Sequence, residues 1–453
     1  MGGIAAVVMA AGKGTRMKSK IPKVLHQVCG KPVVAHVIDS LKYLGIGDIT
    51  VVVGHGHEIV KETLGDSVKY AYQEQQLGTG HAVLQAKDVV DRNKTVLVVS
   101  GDTPLLTPAT LGTLLDYHVS ECADVTVLTT IMENPYGYGR VLRLESDIKG
   151  IVEEKDASDV QRQVKEINSG TYCFSGNFLF DALGKIEPHN VQKEYYLTDV
   201  IGMAVANGKR VRGKICGDAR EIQGINSRAQ LADAAKLMNR ITLEKLMADG
   251  VTIVDPDSTY IEREVSIGID SVIMPFSFLQ GKTVIGEDCI IGPQTRIDNC
   301  QIGNGVNIEI SVVKQSVIGD NCTIGPFAYL RPDTTLEANV KVGDFVEIKK
   351  SYLAAGSKVP HLSYIGDAEI GERVNIGAGT ITCNYDGRNK YRTKVEDGAF
   401  IGSNTNLVAP VKVGSGAVVA AGSTITKDVP TKSLGVARSK QVNVTDWANR
   451  ANK

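Results

Sequence analysis

Two patterns of apolar positions divide the chain. From Ile4 to about Ile225, short β-branched runs at 4–9, 49–53, 96–99 and 125–129 alternate with stretches of helical spacing, 33–44 and 110–118 among them. Strands alternating with helices predict a largely parallel α/β sheet, whose ligands gather at the carboxyl ends of the strands. Residues 228–249 carry one helical stripe, Leu231, Ala234, Ala235, Met238 and Ile241, and Gly250 supplies its stop. This stretch reads as a connector, so the expected domains are 1–227, a helical linker 228–249, and 250–453.

After the linker the period changes to six. Ile267, Ile273, Leu279, Ile285, Ile291 and Ile297 are evenly spaced. The register slips at Ile302 and Ile308, then resumes through Ile318, Ile324, Leu330, Leu336, Val342 and Ile348, and a third run takes Val395, Ile401, Leu407, Val413, Val419 and Ile425. Neither a helix nor an ordinary strand repeats every six residues. A coil of hexapeptides does: three of them make one triangular turn of a parallel β-helix, and the repeated aliphatic faces its axis. Residues 352–364 break this register, and 383–394 insert the polar stretch CNYDGRNKYRTK. Both are expected as loops outside the coil, where binding sites are commonly carried.

Composition removes several classes of function. With 50 basic and 51 acidic side chains the formal charge is -1, which offers no electrostatic footprint for nucleic acid or an anionic membrane. No apolar run approaches the roughly 18 residues of a membrane span, and the early run at 4–11 lacks the basic stretch of a signal peptide. The eight cysteines are scattered without a C-x-x-C pair. In a chain of this size that points to reduced thiols in the cytoplasm, not to disulfides or a zinc site. His55-Gly56-His57 has no third ligand nearby and reads as a loop.

The loop Ala10-Ala11-Gly12-Lys13-Gly14-Thr15-Arg16 directly follows the first strand. It is not a Walker A loop, because Lys13 precedes Gly14 where Ser or Thr is needed, and Met17 replaces the third glycine of a dinucleotide fingerprint. What remains is a glycine loop with free backbone N–H groups and two cations, Arg16 and Lys23, suited to phosphate. Gln73 and the turn Leu77-Gly78-Thr79-Gly80 offer amides for a base edge. Asp102 ends the 96–99 strand in Ser100-Gly101-Asp102, and reads equally as a metal ligand or as a cap on the Thr103-Pro104 turn. Farther on, His361 is the one histidine after His189. An imidazole titrates in the range needed to take a proton from an attacking amine. Arg331, Lys349, Tyr364 and Asn375 supply groups suited to a phosphate and sugar hydroxyls, although Arg331 and Lys349 also read as solvated turn and surface residues.

Taken in order, the Ala10 to Arg16 loop with Lys23, Leu77-Gly78-Thr79-Gly80, Gly101-Asp102, Gly137-Tyr138-Gly139-Arg140 and the hexapeptide tail resemble a known bacterial family. It is that of the bifunctional N-acetylglucosamine-1-phosphate uridyltransferases/glucosamine-1-phosphate acetyltransferases, and the likeness covers nearly the whole chain. The resemblance implies an α/β protein with a Rossmann-like nucleotidyltransferase domain, a linker helix and a left-handed parallel β-helix assembled as a homotrimer. It implies that Met9, Ala10, Ala11, Gly12, Arg16, Lys23, Gln73, Gly78, Thr79 and Asn226 hold UTP or UDP-N-acetylglucosamine, with Gly139, Glu153 and Asn168 at the sugar. Asp102 and Asn226 would bind Mg²⁺, though Asn226 also reads as a helix cap. In the second half it implies His361 as the base and Glu347 as the carboxylate that orients it. Arg331, Lys349, Tyr364 and Asn375 would hold glucosamine-1-phosphate. Ala378, Asn384, Tyr385, Ser403, Ala421 and Arg438 would hold acetyl-CoA between neighbouring subunits, with Ser403 a candidate donor to the oxyanion. Two other readings stay open at this level: a monofunctional sugar-nucleotide pyrophosphorylase with a regulatory tail, and a hexapeptide scaffold without acetyl transfer.

Overall fold

A computed structural model describes residues 3–145 and 147–450, with the side chains of 449 and 450 excepted; residues 1, 2, 146 and 451–453 lie outside it. The chain forms two compact units that meet between Met238 and Asn239.

The first unit is built on a nine-stranded sheet. Its strands are β1 (Ile4–Ala10), β2 (Ile49–Val53), β3 (Lys69–Tyr72), β4 (Thr95–Ser100), β5 (Val125–Ile131), β6 (Arg140–Leu144), β7 (Asp147–Val152), β8 (Glu166–Ser175) and β9 (Val211–Ile215). The main path runs β9-β5-β8-β4-β1-β2-β3, with β6 and β7 as a hairpin off β8. The four expected strands form, and their residues Val7, Val8, Val51, Val52, Val98 and Val99 are fully buried between two aliphatic clusters, one on each face. Covering both faces is what makes these strands read as unbroken apolar runs. The sheet departs from the largely parallel expectation at β8, which is antiparallel to both β4 and β5. That strand has no apolar run to announce it: Asn168, Ser169 and Gly170 interrupt it, and its ladder slips between Asn168 and Tyr172.

The second unit is a coil of short parallel strands stacked in three sheets of eleven, ten and nine strands. Its axis is filled by the predicted aliphatics: Ile273, Leu279, Ile291, Ile297, Leu330, Ile348, Ile401 and Leu407 are all fully buried. Corners are turned by residues at positive φ, many of them Asp, Asn or Gly, which adopt that conformation at least cost. The register slips where a side of the triangle is one residue short, as from Ile297 to Ile302 and from Ile308 to Val313. The expected break at 352–364 is of the same kind. Leu353, Val359 and Ile365 are fully buried and their strands pair in register, so this stretch is part of the coil and not a loop outside it. Residues 384–392 do leave the coil, and Tyr385 and Lys390 pair across the base of that insertion.

The helix Arg228–Ala248 is shared between the units and is not a separate linker. Met238 and Ala234 belong to a cluster with Met17, Val28 and Val33. Leu243 and Leu246 instead belong to the core of the coil. Asn239 fixes the division: its side-chain amide donates to the carbonyl of Thr259 (2.8 Å) and accepts from the N–H of Ile261 (3.0 Å). Those are backbone groups of the first coil, which has no preceding coil to satisfy them. The boundaries expected at 227/228 and 249/250 are therefore replaced by one inside the helix.

Candidate active sites

At the carboxyl ends of β1 and β4, Met9, Ala10, Ala11, Gly12, Lys23, Gln73, Gly78, Thr79 and Asp102 line one cavity of about 270 Å³. The sequence reading did not include Gln76, Ser100 and Glu194, which line it too. Gln73 is buried and donates to the carbonyl of Gly78 at 3.1 Å, closing the Leu77–Gly80 turn. Gly78 has φ of +116°, and a Cβ there would lie 2.5 Å from the carbonyl oxygen of Tyr195, so only glycine fits. Arg16 is placed differently from its neighbours: it stands exposed on the turn Thr15–Met17 and does not line the cavity.

Lys23 carries the electrostatics of the pocket. Its ammonium bonds the carboxylate of Asp102 and, at 3.0 Å, the amide oxygen of Asn226. The Asn226 side chain therefore does not cap the long helix. Ser227 does, accepting from the N–H of Gln230 (3.2 Å), while the Gln230 side chain reaches back to the N–H of Asn226 (2.8 Å). Two oxygen donors thus converge on a cation, which is the chemistry a hard ion such as Mg²⁺ requires. Among the described residues no cluster of three or more His, Cys, Asp or Glu offers a site made of protein alone. The pair suits a metal that shares substrate phosphate oxygens.

Gly139, Glu153 and Asn168 form one cluster. A Cβ on Gly139 would lie 3.3 Å from both Glu153 carboxylate oxygens, and the Asn168 N–H donates to the Gly139 carbonyl at 2.9 Å. Thr198 donates to Glu153 at 3.1 Å. Burial raises the Glu153 carboxyl above the usual range, and nearby Asp156, Asp199 and Glu194 add to this. The turn before Gly139 is held by the buried Arg140, whose guanidinium pairs with Glu154 at 2.7 Å.

On the coil, His361 ends the strand Lys358–His361 at a corner and is exposed. Its Nδ1 lies 2.5 Å from the Asp344 carboxylate, the residue directly opposite it on the preceding coil. This corrects the expected partner. Glu347 lies between Tyr329 and Tyr364 on the adjacent sheet and accepts from Arg331 at 2.7 Å. Lys349 follows on the same strand. Its ammonium is held below the usual range by Lys390 of the inserted loop first and by Arg331 less strongly. Three cations gathered this way make an anion receptor.

The same corner continues down the coil through Ala378, Ser403 and Ala421. Asn404 N–H donates to the Ala378 carbonyl (2.7 Å), Gly422 N–H to the Ser403 carbonyl (2.8 Å), and Arg438 to the Ala421 carbonyl (2.9 Å). Asn384 is buried and bonded to Asp367, whereas Tyr385 is exposed on the loop. Asn375 lies on the sheet of Lys358, one coil on.

Residues 6–167 match the MobA-like NTP transferase domain family, and 259–299, 315–350 and 392–427 match the bacterial transferase hexapeptide (six repeats) family. An NTP-transferase sheet joined to a hexapeptide coil, each with its own polar cluster, defines a two-site transferase with a left-handed parallel β-helix as its second unit. Over 99% of its length the chain is 55% identical to the bifunctional protein GlmU of Heliobacterium modesticaldum, covering 98% of that protein. It is 53% identical to that of a Geobacillus species, with 98% and 97% of the two chains covered. The chain belongs to the bifunctional GlmU family.

Proposed function

We propose that the two clusters divide two successive steps of UDP-N-acetylglucosamine synthesis between them. The coil acetylates glucosamine-1-phosphate from acetyl-CoA, and the first unit joins the product to UMP from UTP, releasing pyrophosphate.

In the coil reaction, Arg331 and Lys349 hold the sugar phosphate, with Tyr364 and Asn375 toward the hydroxyls. The amine nitrogen bonds to the thioester carbon, its proton passes to Nε2 of His361, and the C–S bond breaks to release coenzyme A. Acetyl-CoA lies along the Ala378, Ser403 and Ala421 corner, bounded by Asn384, Tyr385 and Arg438, with Ser403 as donor to the oxyanion.

In the first unit, Gly12, Lys23, Gln73, Gly78 and Thr79, with the Met9–Ala11 backbone and Arg16 from its exposed turn, hold UTP. Gly139, Glu153 and Asn168 hold the sugar. A phosphate oxygen of N-acetylglucosamine-1-phosphate bonds to the α-phosphorus as the bond to pyrophosphate breaks. Asp102 and Asn226 would hold Mg²⁺, which supplies charge neutralisation between the two anionic substrates.

The observation that carries this reading is the convergence of Lys23, Asp102 and Asn226 beside the Gln73 and Gly78 turn, in a chain whose other unit presents His361 paired with Asp344. Supplied with glucosamine-1-phosphate, acetyl-CoA, UTP and Mg²⁺, the protein is expected to release coenzyme A and pyrophosphate in equal amounts and to form UDP-N-acetylglucosamine. Pyrophosphate release only when N-acetylglucosamine-1-phosphate is supplied directly, with no coenzyme A released from glucosamine-1-phosphate and acetyl-CoA, would favour the monofunctional reading.

The working form is a homotrimer in the cytoplasm. Support comes from the corner that carries His361: Phe276, Phe327, Phe345 and Leu362 are each more than half exposed along it, and Phe327 and Phe345 stack at 5.2 Å. An exposed apolar stripe of this kind suits packing against a second copy. Phe345→Asp is expected to shift light-scattering mass from three chains to one and to weaken acetyl transfer with it. Among the described residues no helix is long and apolar enough to cross a membrane.

A further inference from the structure

The contact between His361 and Asp344 deepens the acetyl-transfer reading and rests on it. A carboxylate has only acceptor sites, so the ring nitrogen 2.5 Å from Asp344 Oδ1 carries the hydrogen and Nε2 is left with its lone pair free. The backbone is built to make this contact. The strands Lys341–Asp344 and Lys358–His361 each extend to four residues where most strands of the coil have two or three, and the added residues are the ones that face each other. The N–H of Leu362 donates to the Asp344 carbonyl at 2.9 Å, fixing the chain just past His361. Gly343 makes the close approach of the two coils possible, since a Cβ there would lie 1.9 Å from the carbonyl oxygen of Pro360. His361 is the partner that ion-pairing geometry gives Asp344, whereas Glu347 is engaged by Arg331.

We propose that Asp344 is the positioning residue for the acetyl-transfer base, holding His361 in the Nδ1–H tautomer with Nε2 turned to the substrate amine and stabilising the imidazolium formed when Nε2 takes the amine proton. Asp344 itself stays ionised throughout; one N–H bond breaks on the amine and one forms at Nε2.

The test is steady-state acetyl transfer by the full chain, with glucosamine-1-phosphate and acetyl-CoA varied separately. Asp344→Ala is expected to lower kcat by about 100-fold, and the isosteric Asp344→Asn, whose amide lacks the charge and can donate to Nδ1 and so favour the wrong tautomer, by at least about 100-fold. Both KM values should stay within about twofold, because Asp344 acts through His361 and not on bound substrate. Uridylyl transfer should be unchanged in both. A kcat for Asp344→Ala equal to that of the unaltered chain, or a loss carried by KM in the Asn variant, would overturn the proposal. If Asp344→Ala fails to fold, the Asn variant decides alone. Full activity of His361→Ala would instead remove the base reading beneath it, so the two failures are distinguishable.

Discussion

Replacing His361 with alanine is expected to lower acetyl transfer by about 10²–10⁴-fold, the range a positioned general base contributes. Uridylyl transfer should remain within about twofold. The size follows from the chemistry: the attacking amine must give up a proton as its nitrogen bonds to the thioester carbon, and no other imidazole lies on the coil. The confinement to one reaction follows from the fold. His361 sits on a coil whose core is separate from that of the α/β sheet, so its loss removes no contact from the nucleotide pocket. Coenzyme A release from glucosamine-1-phosphate and pyrophosphate release from N-acetylglucosamine-1-phosphate, assayed separately on one preparation, measure both outcomes. Equal loss of the two activities would contradict separate sites.

The converse result is expected for Asp102→Ala: Mg²⁺-dependent pyrophosphate release falls by about 10³-fold while acetyl transfer persists. Two anionic substrates must meet at one phosphorus, and Asp102 supplies the carboxylate that would share a divalent cation with their oxygens. The side chain is largely enclosed and bonded to the Lys23 ammonium, so its removal also frees Lys23. Asp102→Asn separates the two effects. It keeps the shape and an oxygen toward Lys23 but weakens metal affinity, so its defect should recede as Mg²⁺ concentration rises. Full pyrophosphate release by the alanine variant would take Asp102 out of the metal site.

What could be read in the sequence was what repetition or burial on both faces imposes. The aliphatic sixfold period placed the axis of the coil, and the unbroken runs at β1, β2, β4 and β5 placed the centre of the sheet. Strand β8 escaped notice because polar Asn168 and Ser169 lie where a strand signal would be. The interruption coincides with the slip of the ladder between Asn168 and Tyr172. Asp344 was legible in principle. Coils here stack residues 17 apart at this corner, and counting one coil back from His361 arrives at Asp344, whereas the resemblance alone led to Glu347. Arg16 and Asn226 needed coordinates: whether a side chain lines a cavity or caps a helix depends on contacts between segments distant in sequence.

The amide of Asn239 and the side chains of Leu243 and Leu246 have a further consequence. A stack of parallel strands is a template at any open end, with unpaired N–H and C=O groups and a dry aliphatic floor ready to accept another layer. The last turns of the helix act as a stopper on that template. A fragment begun at Gly250 would keep every repeat yet lose the stopper, and its uncovered first layer would recruit other fragments into fibres; one begun just before Asn239 would retain the plug and stay dispersed.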